Sequence, residues 1–138
     1  MKILLIDDDR FFTEPLLWRL RQEEYHVTFC QSVDDVFDAE GNLRVSAPDC
    51  IILDIMMPRS NRYSKEETAS GKDTGLRLLV DIQKKLPKVP VIVVTVRSDV
   101  GLSRLQQRFG RSMKTVLVKP VTPTQVLEAI RTLFPHTS

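Results

Sequence analysis

Apolar and polar positions along this chain fall into two kinds of block. The first kind is short and continuous: KILLI (2–6), HVTFC (26–30), CIILD (50–54), VIVVT (91–95) and TVLVK (115–119). Four of these five runs are rich in Val and Ile with little polar alternation, which predicts strands of a parallel sheet covered on both faces. The second kind is spaced for one side of a helix. Leu16, Leu17, Leu20 and Tyr25 share a side, and Val33, Val36 and Phe37 follow Ser32, which offers a capping box with Asp35. Leu76, Leu79, Val80 and Ile82 lie in a run ended by Pro87, and Leu102, Leu105 and Phe109 in one closed by Gly110. Thr122-Pro123-Thr124-Gln125 is a strong start for a last amphipathic helix through Val126, Leu127, Ile130, Leu133 and Phe134. Pro15 is awkward in the first helix, which is expected to start late or to kink.

Five strands alternating with five helices predict an α/β fold, a doubly wound parallel sheet with right-handed crossovers. One segment stands apart, the polar RSNRYSKEETASGKDT (59–74), which lacks an evident core. Loops of that length are functional or disordered. Its GKDT ending is no phosphate-cradling loop, because Asp73 displaces the required Ser/Thr and no Gly stands at position 66.

Composition adds bounds. At 138 residues the chain predicts a single domain over 1–138 that buries roughly two-thirds of its unfolded surface. Twenty basic against eighteen acidic residues leave +2, too small a bias to argue for nucleic acid or an anionic membrane. No apolar run approaches the roughly 18 residues of a membrane span, and the start MKILLIDDD is no signal peptide. Cys30 and Cys50 fall in strands without metal-ligand spacing, so buried thiols in a reducing cytoplasm are expected.

The chemistry collects at the strand ends. In an open α/β sheet ligands sit beyond the carboxyl ends of the strands. There the first strand ends in Asp7 and Asp8, the third in Asp54, the fourth in Thr95 and the fifth in Lys119-Pro120. Clustered carboxylates repel, and hard oxygen ligands of this kind suit Mg²⁺, with the Lys offsetting what charge remains. Asp9 reads as an exposed acid opening the first helix, where the dipole favours it. Met56 and Met57 read as packing residues, and Arg104, Arg108 and Arg111 as a solvated helix face rather than a nucleic-acid site.

LLIDDD (4–9), DCIILDIMMP (49–58), VIVVT (91–95) and LVKP (117–120), in this order and strand context, resemble the receiver domains of two-component response regulators. The resemblance implies a flavodoxin-like receiver fold with strand order 2-1-3-4-5. It implies Asp54 as phosphoacceptor, attacking a phosphoryl group in line to give an aspartyl phosphate. Asp8 then resembles a direct Mg²⁺ ligand, Asp7 a second or water-mediated one, and the backbone carbonyl of Met56 a third protein ligand beside Asp54. Lys119 would neutralise charge on the phosphoryl oxygens and Thr95 would hydrogen-bond one of them. A cis Lys119-Pro120 bond is implied as well. The implied partners are a sensor histidine kinase or phosphotransfer protein and an unidentified downstream protein, with no direct nucleic-acid or membrane contact by this domain. Enzymatic turnover would be confined to slow self-dephosphorylation, since Met56 offers no group to orient a water well and Arg97 is a cation expected to lie over the site.

Departures from the family pattern sit close to the site. Pro58 and Gly75 are much further apart than in most receivers, Val96 replaces a small residue and would narrow access to Asp54, and Val116 replaces the aromatic usually coupled to the switch Thr. A short β-branched side chain at 116 cannot sweep between two inward and outward states. The loops 59–74 and 96–101 are therefore the expected moving parts. A phosphorylation-independent interaction module is the alternative. A haloacid-dehalogenase-like phosphatase is a remote one, since that family wants Asp-x-Asp-x-Thr/Val and Phe11 stands at the fifth position.

Overall fold

A computed structural model describes residues 1–69 and 72–135. Ser70 and the Gly71 of the GKDT run lie outside the described residues, as do the last three positions of the expected 1–138 domain. Among the described residues the elements run β1 (Lys2–Ile6), α1 (Arg10–Gln22), β2 (His26–Cys30), α2 (Val33–Val36), β3 (Cys50–Leu53), α3 (Thr74–Lys85), β4 (Val91–Thr95), α4 (Leu102–Phe109), β5 (Met113–Val118) and α5 (Pro123–Leu133). All strands pair in parallel, in the order β2-β1-β3-β4-β5. This is the doubly wound sheet that the alternation of blocks predicts.

The apolar patterning explains the layers. β3 and β4 are buried at every position, while the edge strands β2 and β5 alternate or lie half-open. Odd and even positions of the central strands face opposite layers. Ile3, Leu5, Ile52, Ile92 and Val94 pack under α1 and α5, and Leu4, Ile6, Ile51, Leu53, Val91 and Val93 under α2, α3 and α4. α5 starts as its sequence dictates: Thr122 and Gln125 exchange a full capping box and Pro123 takes the first turn.

Several local expectations are corrected. α1 starts at Arg10, not late, with Pro15 inside it, and Tyr25 lies past its end rather than on its apolar side. α2 is only four residues long, and Ser32 makes no side-chain cap: the Asp35 N–H donates to the Ser32 carbonyl at 3.2 Å, and the Asp35 carboxylate accepts the Gln31 N–H rather than that of Ser32. After it the chain makes an isolated antiparallel bridge between Phe37 and Leu43.

The larger correction concerns the described part of 59–74, which is docked rather than coreless. Tyr63 is 8% exposed and belongs to the α2–α3–α4 layer. Its hydroxyl donates to Asp81 of α3 at 2.8 Å, and Arg62 Nε reaches the same carboxylate at 3.2 Å. Arg62 also stacks 4.8 Å over the Phe37 ring. Ser64 and Glu67 exchange reciprocal side-chain-to-backbone hydrogen bonds of 3.1 Å, the pattern of a capping box, and Thr68 is buried. A single aromatic within a polar run carries no periodic signal, so pattern reading misses such an anchor.

Candidate functional site

The parallel sheet delivers Asp7, Asp54, Thr95 and Lys119 to one edge, and backbone hydrogen bonds hold them there. The Asp7 N–H donates to Cys30 O of β2 and the Asp54 N–H to Ile6 O of β1, each at 3.0 Å. The Lys119 N–H donates to Thr95 O at 2.8 Å, which ties these two site residues to one another. The Lys119-Pro120 bond is cis. Gly75 matters for a different reason. Its N–H donates to Ile55 O at 2.9 Å, and a Cβ there would stand 2.5 Å from Asp54 O and 2.6 Å from Ile55 O. Only a residue without a side chain lets the start of α3 lie against the loop that follows Asp54.

Lys119 is the hub. Its Nζ lies 2.9 Å from Asp7 Oδ2, 3.1 Å from Asp54 Oδ2 and 3.1 Å from Asp9 Oδ2, so its three protons face three carboxylates. Asp7 and Asp54 are nearly inaccessible, whereas Asp8 is exposed. Asp54 Oδ1 accepts the Met56 N–H at 2.9 Å, and Asp7 Oδ1 accepts the Asp9 N–H at 2.9 Å. One carboxylate oxygen each from Asp7, Asp8 and Asp54 lies within 4.8 Å of the others. Burial first, and the Asp54 charge in addition, push the Asp7 carboxyl up to about 6, although its hydrogen bonds oppose this. At Lys119 burial works against the charge, yet the hydrogen bond and charge of Asp7, with those of Asp54, raise its pKa overall. A hard divalent cation fits this donor set, since crowded carboxylates are what it would neutralise.

Asp9 does more than cap α1. Its carboxylate accepts the Phe12 N–H at 3.4 Å and also meets Lys119. Burial opposes ionisation there, but Lys119 and the helix N–H groups hold its carboxyl below the ordinary value. The sequence signal was present in the third consecutive Asp; what was missing was the direction of the Lys119 side chain. The two methionines also divide, with Met57 in the core and Met56 38% exposed, so only Met57 is a packing residue.

The switch candidates sit beside this cluster. Thr95 is fully buried, and its Oγ1 accepts the Arg97 N–H at 3.3 Å. The Arg97 guanidinium does not reach the strand-end carboxylates. It forks onto Asp99 at 3.1 and 2.8 Å and pairs with Asp73 at the end of the insertion. Those contacts with Asp99 and Asp73 outweigh desolvation and raise its pKa above the ordinary value. Val96 is 59% exposed and borders, with Phe11, Phe12 and Val121, a cleft of about 350 Å³ next to Lys119. No helix among the described residues is long and apolar enough to cross a membrane.

Comparison with known proteins agrees with this geometry. The family model for the response regulator receiver domain matches residues 3–131. The chain belongs to the response regulator receiver domain family. It is 28% identical over 138 residues to the response regulator MprA of Mycobacterium sp. (strain KMS), covering all of this chain and 52% of that protein. It is 35% identical over 125 residues to an uncharacterised response regulatory protein of Staphylococcus epidermidis, covering 91% of this chain and 43% of the relative. The chain thus spans about half the length of the curated relatives it matches. Among solved structures, the non-phosphorylated HemR receiver domain of Leptospira biflexa superposes with a TM-score of 0.72 at 25% identity, covering 99% of this chain and 96% of that one. A CheY-like receiver of Methanospirillum hungatei JF-1 shares the fold, with a TM-score of 0.71 at 21% identity over 97% of this chain and 93% of its own.

Proposed function

We propose that this receiver domain, which extends over 1–138 with the insertion as part of it, takes a phosphoryl group onto Asp54. The donor would be a histidine kinase or phosphotransfer protein. The supporting observation is the single cluster in which Asp7, Asp8 and Asp54 share a 4.8 Å neighbourhood while Lys119 sits 3.1 Å from Asp54. Asp7, Asp8, Asp54 and the Met56 carbonyl would hold Mg²⁺. When bound, Mg²⁺ supplies positive charge against the phosphoryl oxygens, the main need in phosphoryl transfer.

The chain's own groups account for the remaining steps. A carboxylate oxygen of Asp54 attacks phosphorus as the donor's N–P bond breaks, and an O–P bond replaces it. The Met56 N–H orients the carboxylate during attack. Lys119 must free a proton for the phosphoryl group, and Asp9, whose side chain is 37% exposed, is the partner that water can best replace. Thr95 then gives its hydroxyl hydrogen to a phosphoryl oxygen. Its Oγ1 moves away from the Arg97 N–H, and the Arg97 clamp on Asp73 passes that movement to the insertion. Switching therefore runs through the 96–101 loop and the insertion rather than through Val116. Self-dephosphorylation is slow, because neither Met56 nor the clamped Arg97 orients an attacking water. Exposed Phe11, which borders the cleft, and exposed Trp18, seven residues further along α1, suit docking of a donor protein. A reducing cytoplasm suits the two free, buried cysteines.

Acetyl phosphate or beryllofluoride with Mg²⁺ should label or occupy one residue, and Asp54→Asn should abolish this. A parent protein that stays unlabelled under both reagents would instead support the phosphorylation-independent interaction module.

A further inference from the structure

The near-neutral total hides a segregation of charge. Between Ile82 and Leu127 stand nine Lys or Arg residues and one acid, Asp99, whereas residues 1–81 hold sixteen acids and ten bases. Folding gathers six of those cations at the end of the sheet opposite Asp54. Lys84 and Lys85 close α3, Lys88 follows it, Arg108 closes α4, and Arg111 and Lys114 lie at the start of β5. All six are exposed, and among the described residues none takes part in an ion pair. Lys84, Lys85 and Arg108 have a local reason to be basic, since they offset helix dipoles at C-terminal turns. Lys88, Arg111 and Lys114 have no such reason.

The surface is concave and its floor is apolar. Two adjoining grooves, of about 500 and 290 Å³, share Phe109 as a common wall, with Pro87 and Pro90 in the larger and Val80 in the smaller. Gln83 braces their junction, donating to Phe109 O at 2.8 Å and to Ser112 Oγ at 2.7 Å. The Arg108 guanidinium lies 4.9 Å over the Phe109 ring.

We propose that this basic-rimmed, apolar-floored double groove is a docking site for an acidic protein segment in which Asp or Glu residues are interleaved with apolar side chains. The rim complements the carboxylates, which steers encounter and fixes register, and the Phe109–proline floor receives the apolar anchors. A nucleic-acid backbone would use the cations but not the floor. The site is separate from Asp54 and does not depend on its phosphorylation.

The test is ¹⁵N-NMR and anisotropy titration of the 138-residue chain with a twelve-residue peptide alternating Glu/Asp with Leu/Phe. The comparison probes are its Gln/Asn counterpart, a poly-Glu twelve-mer and a random 20-base-pair duplex. The proposal expects peptide shifts confined to 83–90 and 108–114. It expects binding weakened about tenfold by the pair Arg108→Glu and Arg111→Glu, as rim charge reversal should act. Acetyl phosphate labelling of the same variant should be unchanged, which also shows that it folds. Shifts elsewhere, indifference to the double reversal, or a poly-Glu or Gln/Asn peptide binding as tightly would overturn the proposal. So would a duplex that binds more tightly than the peptide through the same cations.

Discussion

Tyr63 is the side chain that makes the insertion part of the domain, and Tyr63→Ala measures how much of the fold depends on it. The residue is 8% exposed, and its ring lies in the layer under α2, α3 and α4. Truncating a buried aromatic to Ala removes its transfer free energy and leaves a cavity, together about 3–5 kcal/mol. The lost hydroxyl adds little in this variant, because Asp81 keeps Arg62 at 3.2 Å and Arg77 at 3.7 Å. Against a total stability of roughly 5–15 kcal/mol this is a large fraction. For a domain of this size, at about 3–4 °C per kcal/mol, Tm should fall by about 10 °C or more. Tyr63→Phe keeps the ring and loses only that hydroxyl, whose acceptor Asp81 stays paired, so it should cost about 0.5–1.5 kcal/mol. Urea unfolding followed by circular dichroism checks both, with the m value testing whether the native state stays compact. If Tyr63→Ala lies within about 0.5 kcal/mol of the parent, as exposed loop substitutions do, the insertion is draped over the domain and the reasoning fails.

Other outcomes follow from the same structure. Asp73→Asn should loosen the Arg97 clamp and speed amide exchange of residues 59–69 before any phosphoryl analogue is added, and beryllofluoride should have a smaller effect there than in the parent. Exchange unchanged in the variant would remove the clamp from the switching path. The phosphorylated protein should decay over hours rather than seconds, as expected for an acyl phosphate shielded from water; a half-life of seconds would refute the roles given to Met56 and Arg97. Burial pushes the Cys30 thiol up to about 11 and the Cys50 thiol up to about 12, so neither should react with iodoacetamide at pH 8 until the chain is unfolded. Burial, then Asp81, likewise raises Tyr63 above its ordinary 10.0. These three groups stay neutral in the fold at pH values where the unfolded chain gives up its protons. The contribution of these three groups to stability should therefore be intact below about pH 8.5 and be lost as pH rises beyond it, and Tyr63→Phe should fall less steeply in Tm scans between pH 8 and 10.5.

The chain order of apolar blocks was enough to determine a doubly wound parallel sheet, though not its strand order, which the family resemblance implied. Central strands covered on both faces must be continuously apolar, and parallel neighbours need a helix between them. The strand-end position of Asp7, Asp54, Thr95 and Lys119 followed from that, since a parallel sheet brings the end of every strand to one edge. Three things needed the tertiary structure. Asp9 joins Lys119 only because the long ammonium side chain folds back across the edge to where α1 begins, a direction that no local spacing encodes. Tyr63 finds its place through contacts with Asp81 eighteen residues away, and a lone aromatic in a polar run has no period to reveal it. Charge was the plainest case. A sum over the sequence comes to +2, but the sum is blind to position, and the fold sets the bases of α3, α4 and β5 side by side while the acids lie elsewhere. Electrostatic potential depends on distance, and distances between remote residues are what folding alone decides.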